Sequence, residues 1–152
     1  MNKELRVAAY AVCVRDEQIL LARWVARDGE KHWTLPGGGM DHAEDPLDTV
    51  VREVDEETGY ACEPVRLLGI DSITRHYPRR LGTFADFHGL RIVYEGRITG
   101  GELRPETDGS TDLAAWHPLD AIDDLDRVEL VDVGLALWRE QPPVGRIGRT
   151  TG

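Results

Sequence analysis

An α/β domain, with helices on both faces of a mixed central sheet, is the fold class that this 152-residue chain predicts. Three observations carry the expectation. Apolar segments rich in β-formers, separated by turn residues, fill the first 35 positions and the middle of the chain. A helix with explicit start and stop signals follows the third of them, and two more helical segments come late.

In order, Leu5 to Val14 is an apolar run predicted as a buried strand. Asp16-Glu17 turns the chain and Gln18 to Trp24 pairs back as a hairpin. Val25 to His32 reads as a polar loop, and Trp33 to Leu35 as a short strand entering Gly37-Gly38-Gly39. Asp45-Pro46 marks a helix start, an Asx cap followed by proline in the first turn, and Gly59 is placed to stop it. The spacing therefore predicts a helix over Pro46 to Thr58. At about 100° per residue, Leu47, Val50, Val51 and Val54 are assigned to its packing face, and Glu53, Glu56 and Glu57 to the opposite one. Strands follow at Val65 to Ile73, Phe84 to Thr99 and Leu113 to His117, with Arg75 to Gly82 as a basic loop and Gly100-Gly101 as a turn. Pro118 to Leu125 reads as a short helix. Val128 to Glu140 reads as a longer one, with Leu130, Val133, Leu137 and Trp138 inward. Residues 1–140 are expected to form one domain and the Pro/Gly/Thr-rich residues 141–152 a flexible tail.

Composition narrows the function classes. The net charge of −10 argues against a nucleic-acid polymer as partner, because phosphate backbones are held by clustered cations. No apolar run approaches the roughly 18 residues of a membrane span, and the first residues lack the apolar core of a signal peptide. Cys13 and Cys62 are too few for a disulfide framework, so the expected compartment is the cytoplasm. Each is expected to be a small buried residue rather than a nucleophile.

The charge is concentrated. Residues 38–60 hold eight acidic side chains and a single basic one, Arg52. Carboxylates crowded on one helix repel one another. A hard divalent cation reverses the sign of that cost, because it takes several oxygens in one place. The preceding glycines let backbone groups come close to an ion or a phosphate.

The segment resembles the signature of the Nudix hydrolases, Gly-x5-Glu-x7-Arg-Glu-U-x-Glu-Glu-x-Gly-U, where U is a bulky aliphatic residue. Gly38, Glu44, Arg52, Glu53, Val54, Glu56, Glu57 and Gly59 stand at its spacings, and only Tyr60 departs from it. The resemblance implies a Nudix-type α/β/α sandwich, bound Mg2+ or Mn2+, and hydrolysis of the pyrophosphate linkage of a nucleoside diphosphate joined to another group. That group is a nucleotide, a sugar or the second half of a dinucleoside polyphosphate. It implies Glu53 and Glu57 as main metal ligands, Glu56 as a further ligand or a ligand to a bridging water, and the Gly38 carbonyl as completing the set. Arg52 and Glu44 would pair to orient the glutamates. Arg52, Glu53, Glu56 and Glu57 are thus the expected catalytic set. A nucleotide-sensing domain without catalysis is the alternative, against which the intact carboxylates stand. Dimers are common in similar proteins, so a homodimer is a further expectation.

Outside this segment, Arg75-His76-Tyr77-Pro78-Arg79-Arg80 is the one basic, aromatic cluster. Arg75 is a candidate for a phosphate and Tyr77 for stacking a base. The 17-residue step from Tyr60 to Tyr77 resembles the tyrosine mark of dinucleoside-polyphosphate Nudix enzymes. The proline mark of the ADP-ribose subgroup is not at its usual spacing, and the coenzyme A mark is absent. His76, Asp86 and His88 form a second candidate polar cluster. Glu106, Asp108 and Asp112 are three candidates for a general base, and the sequence does not choose among them.

Overall fold

The computed structural model describes residues 2–78 and 84–148. The side chains of Asn2, Tyr77 and Phe84 lie outside what is described. The strands are β1 (Asn2–Val12), β2 (Val14–Arg15), β3 (Gln18–Val25), β4 (Lys31–Thr34), β5 (Gly37–Gly39), β6 (Tyr60–Pro78), β7 (Phe84–Gly101) and β8 (Thr111–Pro118). Helix α1 is Pro46–Thr58, a 3-10 turn covers Leu119–Asp124, and helix α2 is Glu129–Glu140.

The larger sheet has the order β5-β1-β7-β6. It is mixed, since β1 runs parallel to β7 while β5 pairs with β1, and β6 with β7, antiparallel. In the smaller sheet β3 is central. It pairs with β8 along one edge and successively with β2 and β4 along the other.

Strand periodicity divides the core in two. Ala9 and Ala11 of β1, Cys13 just after it and Leu20 of β3 join Val50 and Val54 of α1, with Tyr60, Cys62 and Tyr94. On the opposite face Val12, Ile19 and Leu21 join Leu130, Val131, Leu135 and Leu137 of α2, with Leu35, Leu68 and Val93. Helices thus cover both faces of a mixed sheet, which is the architecture expected from the sequence.

Helix α1 has its expected limits, and both ends show why. Asp45 accepts a bond from the Leu47 N–H at 2.8 Å, satisfying one of the donors that a helix start leaves open. At the other end Gly59 has φ of +84° and donates its N–H to Asp55 O at 2.9 Å. A Cβ there would lie 2.2 Å from the Glu102 carbonyl oxygen.

Several expectations need correction. Arg75 is not in a loop: β6 runs from Tyr60 to Pro78, and Arg75 pairs with Phe87 across the ladder. β7 supplied the partner that local composition did not reveal, and of the presumed loop 79–82 lie outside the described residues. The loop before β4 is shorter than expected, because β3 reaches Val25 and β4 begins at Lys31. The three glycines form strand β5. Gly100 and Gly101 end β7 rather than turning it early. The short helix after β8 is 3-10 in form. On α1, Leu47 and Val51 are exposed at 45% and 42%, while Glu57 is 5% exposed. Seven residues after Val50 is two turns, so Glu57 falls within about 20° of Val50 and shares the packed face. In α2 the buried set is Leu130, Val131, Gly134, Leu135 and Leu137, with Val133 and Trp138 only partly covered. After α2 the described residues of the C-terminal segment touch β6, where Ile70 N–H donates to Gly145 O at 2.8 Å and Ile147 packs on the core.

Replacing Gly59 by alanine forces a side chain into the left-handed region and against the Glu102 carbonyl. We expect a loss of about 2–4 kcal/mol in urea-induced unfolding. A loss below about 0.5 kcal/mol, the usual range of neutral surface changes, would show that this end of α1 is not fixed as described.

Candidate active site

The site lies where α1 passes β5 and faces a cleft of about 440 Å3. β5 is placed by its pairing with β1, with Gly37, Gly38 and Gly39 opposite Tyr10, Ala9 and Ala8. The approach is so close that a Cβ at Gly37 would sit 2.3 Å from Ala9 O. A Cβ at Gly38 would lie 3.0 Å from the Glu53 carboxylate, so the missing side chain leaves the glutamate against the backbone.

Glu57 is the most constrained member. Its carboxyl accepts the Gly37 N–H at 3.2 Å. Burial pushes its pKa well above the ordinary carboxylate value, and the neighbouring Glu53 adds to the shift. Glu53 is also raised, by burial, with Glu57 and Arg52 pulling it back. The two carboxyls lie close enough to perturb each other, and of the two the more deeply buried Glu57 is raised further.

Arg52 organises the other carboxylates. Its Nε and Nη2 donate to the two oxygens of Glu44 at 2.8 and 2.9 Å, a bidentate pairing that fixes the guanidinium plane. Nη1 reaches Glu53 at 2.9 Å and Glu56 at 3.4 Å, and Nη2 also meets Gly39 O at 3.3 Å. Glu44 further accepts from Thr49 Oγ1 at 2.6 Å and from Asp41 N–H at 3.1 Å. The Arg52 guanidinium foremost, then the Thr49 hydroxyl and the Asp41 N–H, pull the Glu44 pKa down to about 2. The pairing of Arg52 with Glu44 that the sequence implied is therefore present, and Glu53 and Glu57 converge. Glu56 is half exposed at the margin of the cluster.

The three base candidates separate. Asp112 is held by Arg23 at 2.9 Å and Lys31 at 3.0 Å, and Arg23 leads the lowering of its pKa to about 2. Asp108 sits in a turn with φ of +64°. Glu106 is near enough to Glu57 for its charge to add, as the smallest contribution, to the rise there. Its Oε1 accepts from Thr111 N and Oγ1 at 3.3 and 2.6 Å.

The cleft floor follows from ladder register, since alternate residues share a face. Across β1, β7 and β6 the rows are Ala8, Arg91, Asp71, then Arg6, Gly89, Ile73, then Glu4, Phe87, Arg75. Arg91 is bound by Asp71 and lies 3.6 Å from Glu129. Arg75 lines the cleft, with Trp24, Tyr10 and Thr111; the Tyr77 side chain lies outside the described residues. The phenol of Tyr10 is enclosed among Arg6, Arg91, Glu57 and Glu53, and burial raises its pKa. His76 pairs with Asp86 at 2.7 Å, while His88 meets Ser72 at 2.7 Å, so that candidate cluster splits into two pairs. Arg6, Tyr10, Trp24 and Arg91 were not singled out in the sequence. An arginine within the apolar segment that forms β1 was the signal available.

The chain matches the NUDIX domain family model over residues 4–136. It belongs to the Nudix hydrolase family. The Nudix box is the loop–helix–loop described above, from Gly38 to Tyr60. Over 112 residues, 71% of the chain, it is 37% identical to YjhB of Bacillus subtilis, provisionally named an ADP-ribose pyrophosphatase. Over 124 residues, also 71% of the chain, it is 47% identical to an RNA pyrophosphohydrolase of Xanthomonas oryzae pv. oryzae. The chain spans 48% of the first relative and 58% of the second. A Nudix hydrolase structure from Nitrosomonas europaea superposes with a TM-score of 0.73 at 25% identity, covering 94% of this chain and 92% of that one. Among the described residues no helix is long and apolar enough to cross a membrane.

The opposite pKa shifts predict opposite pH effects in chelator-treated protein. A carboxyl with a raised folded pKa binds more protons folded than unfolded, so for Glu57 stability falls as pH climbs from 4.5 to its folded value. The penalty is complete above that window. Glu57→Gln should therefore raise the melting temperature at pH 8 and flatten the decline above pH 5. For Glu44 the contribution is complete above 4.5 and is lost as pH falls toward about 2. Glu44→Gln should lower the melting temperature above pH 4.5 and make the acid-side loss shallower. Melting curves from pH 3 to 8 check both, and an unchanged profile in Glu57→Gln would contradict the buried-carboxyl account.

Proposed function

We propose that this chain is a divalent-cation-dependent pyrophosphohydrolase. Its substrate is a nucleoside diphosphate linked to a further group: a nucleotide, a sugar, or the second half of a dinucleoside polyphosphate. The observation that carries the reading is the buried Glu57 carboxyl, bonded to the Gly37 N–H of the glycine strand and lining, with Glu53, a cleft that also holds arginines.

The residues fit a magnesium or manganese ion. The donors are oxygens, which suits a hard cation, and Gly38 leaves the Glu53 carboxylate pressed against backbone where a Cβ would intrude. Among the described residues no three His, Cys, Asp or Glu side chains form a ready ligand group, in keeping with Arg52 drawing Glu53 and Glu56 toward itself. Glu53, Glu57, Glu56 and the Gly38 carbonyl would hold the ion. When bound it supplies charge neutralisation of the diphosphate and a lowered pKa for a water.

The chain's own groups divide the remaining work. Glu44 fixes Arg52, and Arg52 orients Glu53. The Gly37 N–H holds one oxygen of Glu57. We assign Glu106 as proton acceptor for the attacking water: it is held by Thr111, which lines the cleft, its charge is felt at Glu57, and both Thr111 bonds go to Oε1, leaving Oε2 available. Arg75 and Tyr77 remain our candidates for the group beyond the diphosphate. Small nucleotides as substrates and the cytoplasm as location are consistent with the acidic charge. A homodimer is compatible with this reading, and sedimentation would test it.

The test is a hydrolysis screen with magnesium over ADP-ribose, sugar nucleotides, dinucleoside polyphosphates and oxidised nucleotides, with products separated by anion exchange. Turnover should vanish with chelator. Glu53→Gln and Glu57→Gln should each lose at least about a hundredfold in kcat, as when one charge-stabilising group is removed elsewhere. Near-wild-type turnover in either variant would overturn the reading. Glu106→Gln should lose about 10²–10⁴-fold and the acidic limb of the pH–rate profile, whereas Asp112→Asn should keep both.

A further inference from the structure

We propose that Arg6 binds the diphosphate of the substrate beside the acidic centre, and that Gly39 exists to seat it. The assignment rests on the pyrophosphohydrolase reading above and adds a binding residue outside the Nudix box.

Arg6 lies in β1 on the same face as Ala8 and Tyr10, and all three line the cleft with Gly37, Gly38, Gly39, Glu53 and Glu57. Its ladder partner on β7 is Gly89, whose missing side chain leaves room that the Phe87 ring and Ile73 border, so no polar group from that position competes for the guanidinium. On the other side the guanidinium reaches β5. A Cβ built on Gly39 would lie 3.1 Å from Arg6 Nη2 and 3.2 Å from Nε. Gly39 is not among the residues with positive φ, so its backbone does not require glycine. What it provides is room: the guanidinium rests against its bare Cα, while its carbonyl oxygen accepts from Arg52.

The partners set Arg6 apart from Arg52 and Arg91, the two cations nearest the acidic helix and the floor row beside it. Arg52 contacts Glu44, Glu53 and Glu56. Arg91, in the next row of the floor, is closed by Asp71 and Glu129. Among the described residues Arg6 makes no ion pair or side-chain hydrogen bond. A guanidinium with its donors unspent, at the edge of a carboxylate cluster, is placed to receive an anion brought to that cluster. Its planar fork matches two oxygens of a phosphoryl group. It would engage the face of the diphosphate turned toward the sheet, away from α1, and so fix which way the rest of the substrate lies along the floor.

The experiment uses the full chain with magnesium. Calorimetry measures binding of imidodiphosphate, a non-hydrolysable diphosphate, and steady-state kinetics measure the best substrate of the screen. Arg6→Ala should weaken imidodiphosphate binding, and raise KM, by on the order of ten- to a hundredfold, the range of charge-assisted hydrogen bonds. Arg6→Lys should recover part of this. Gly39→Val, which displaces the guanidinium, should reproduce the loss. The double variant should be no worse than either single one, because both changes remove the same contact. Melting temperatures confirm that each variant is folded. Wild-type affinity in Arg6→Ala overturns the assignment, and multiplying losses in the double variant overturn the role of Gly39. If the wild type turns over a diphosphate while Arg6→Ala is normal, only this inference fails. If the wild type neither binds imidodiphosphate nor hydrolyses any substrate, the functional reading fails with it.

Discussion

The local structure turns on placing the carboxyl of Glu57 out of water. A buried carboxyl is unfavourable unless something else holds it, and here that is a backbone N–H of the glycine strand together with Glu53. The requirement fixes much around it. β5 must lie within reach of α1 while packed closely on β1, which calls for a residue without a Cβ at position 37, where one would strike Ala9 and Tyr10. The helix must present Glu57 two turns after Val50. It must also stop at Gly59, so that the chain can turn at once into β6.

The charges then sort by depth. Glu57 is the deepest acid, Glu53 stands beside it, and Glu56 reaches the rim. Arg52 works from the rim inward and spreads a single cation over several carboxylates, which relieves repulsion without entering the buried pair. The opposite wall is supplied by the sheet, with arginines at alternating ladder positions. A cleft with acids on one wall and cations on the other can accept a metal and a polyanion together, although the chain as a whole is strongly negative.

What the sequence disclosed, and what it withheld, follows the range of the forces involved. The limits of α1 were readable because Asp45, Pro46 and Gly59 act within a turn of themselves. The box residues were readable because their spacing is local. The extension of β6 through Arg75 was not, since that strand exists only by pairing with β7. The four-residue step from Glu53 groups Glu57 with the acidic face, whereas two full turns of helix align it with Val50 on the packed one. Glu106 separated from Asp108 and Asp112 only once Arg23 and Lys31 were seen to occupy Asp112. Arg6 was passed over because it sits in an apolar strand, where a charged residue is easily read as an edge position.

The parallel pairing of β1 with β7 joins Asn2 to Ala85 and Val12 to Glu95. Parallel neighbours cannot be joined by a tight turn, so this ladder closes only after the intervening chain is in place. Long-range closure of that kind slows folding relative to locally wired proteins. It also sets an order during synthesis. The acidic helix leaves the ribosome well before the strand that completes the cleft floor, and until β7 arrives its carboxylates remain hydrated and apart. The burial of Glu57, and the raised pKa that comes with it, is thus a property the polypeptide gains only on completing its fold.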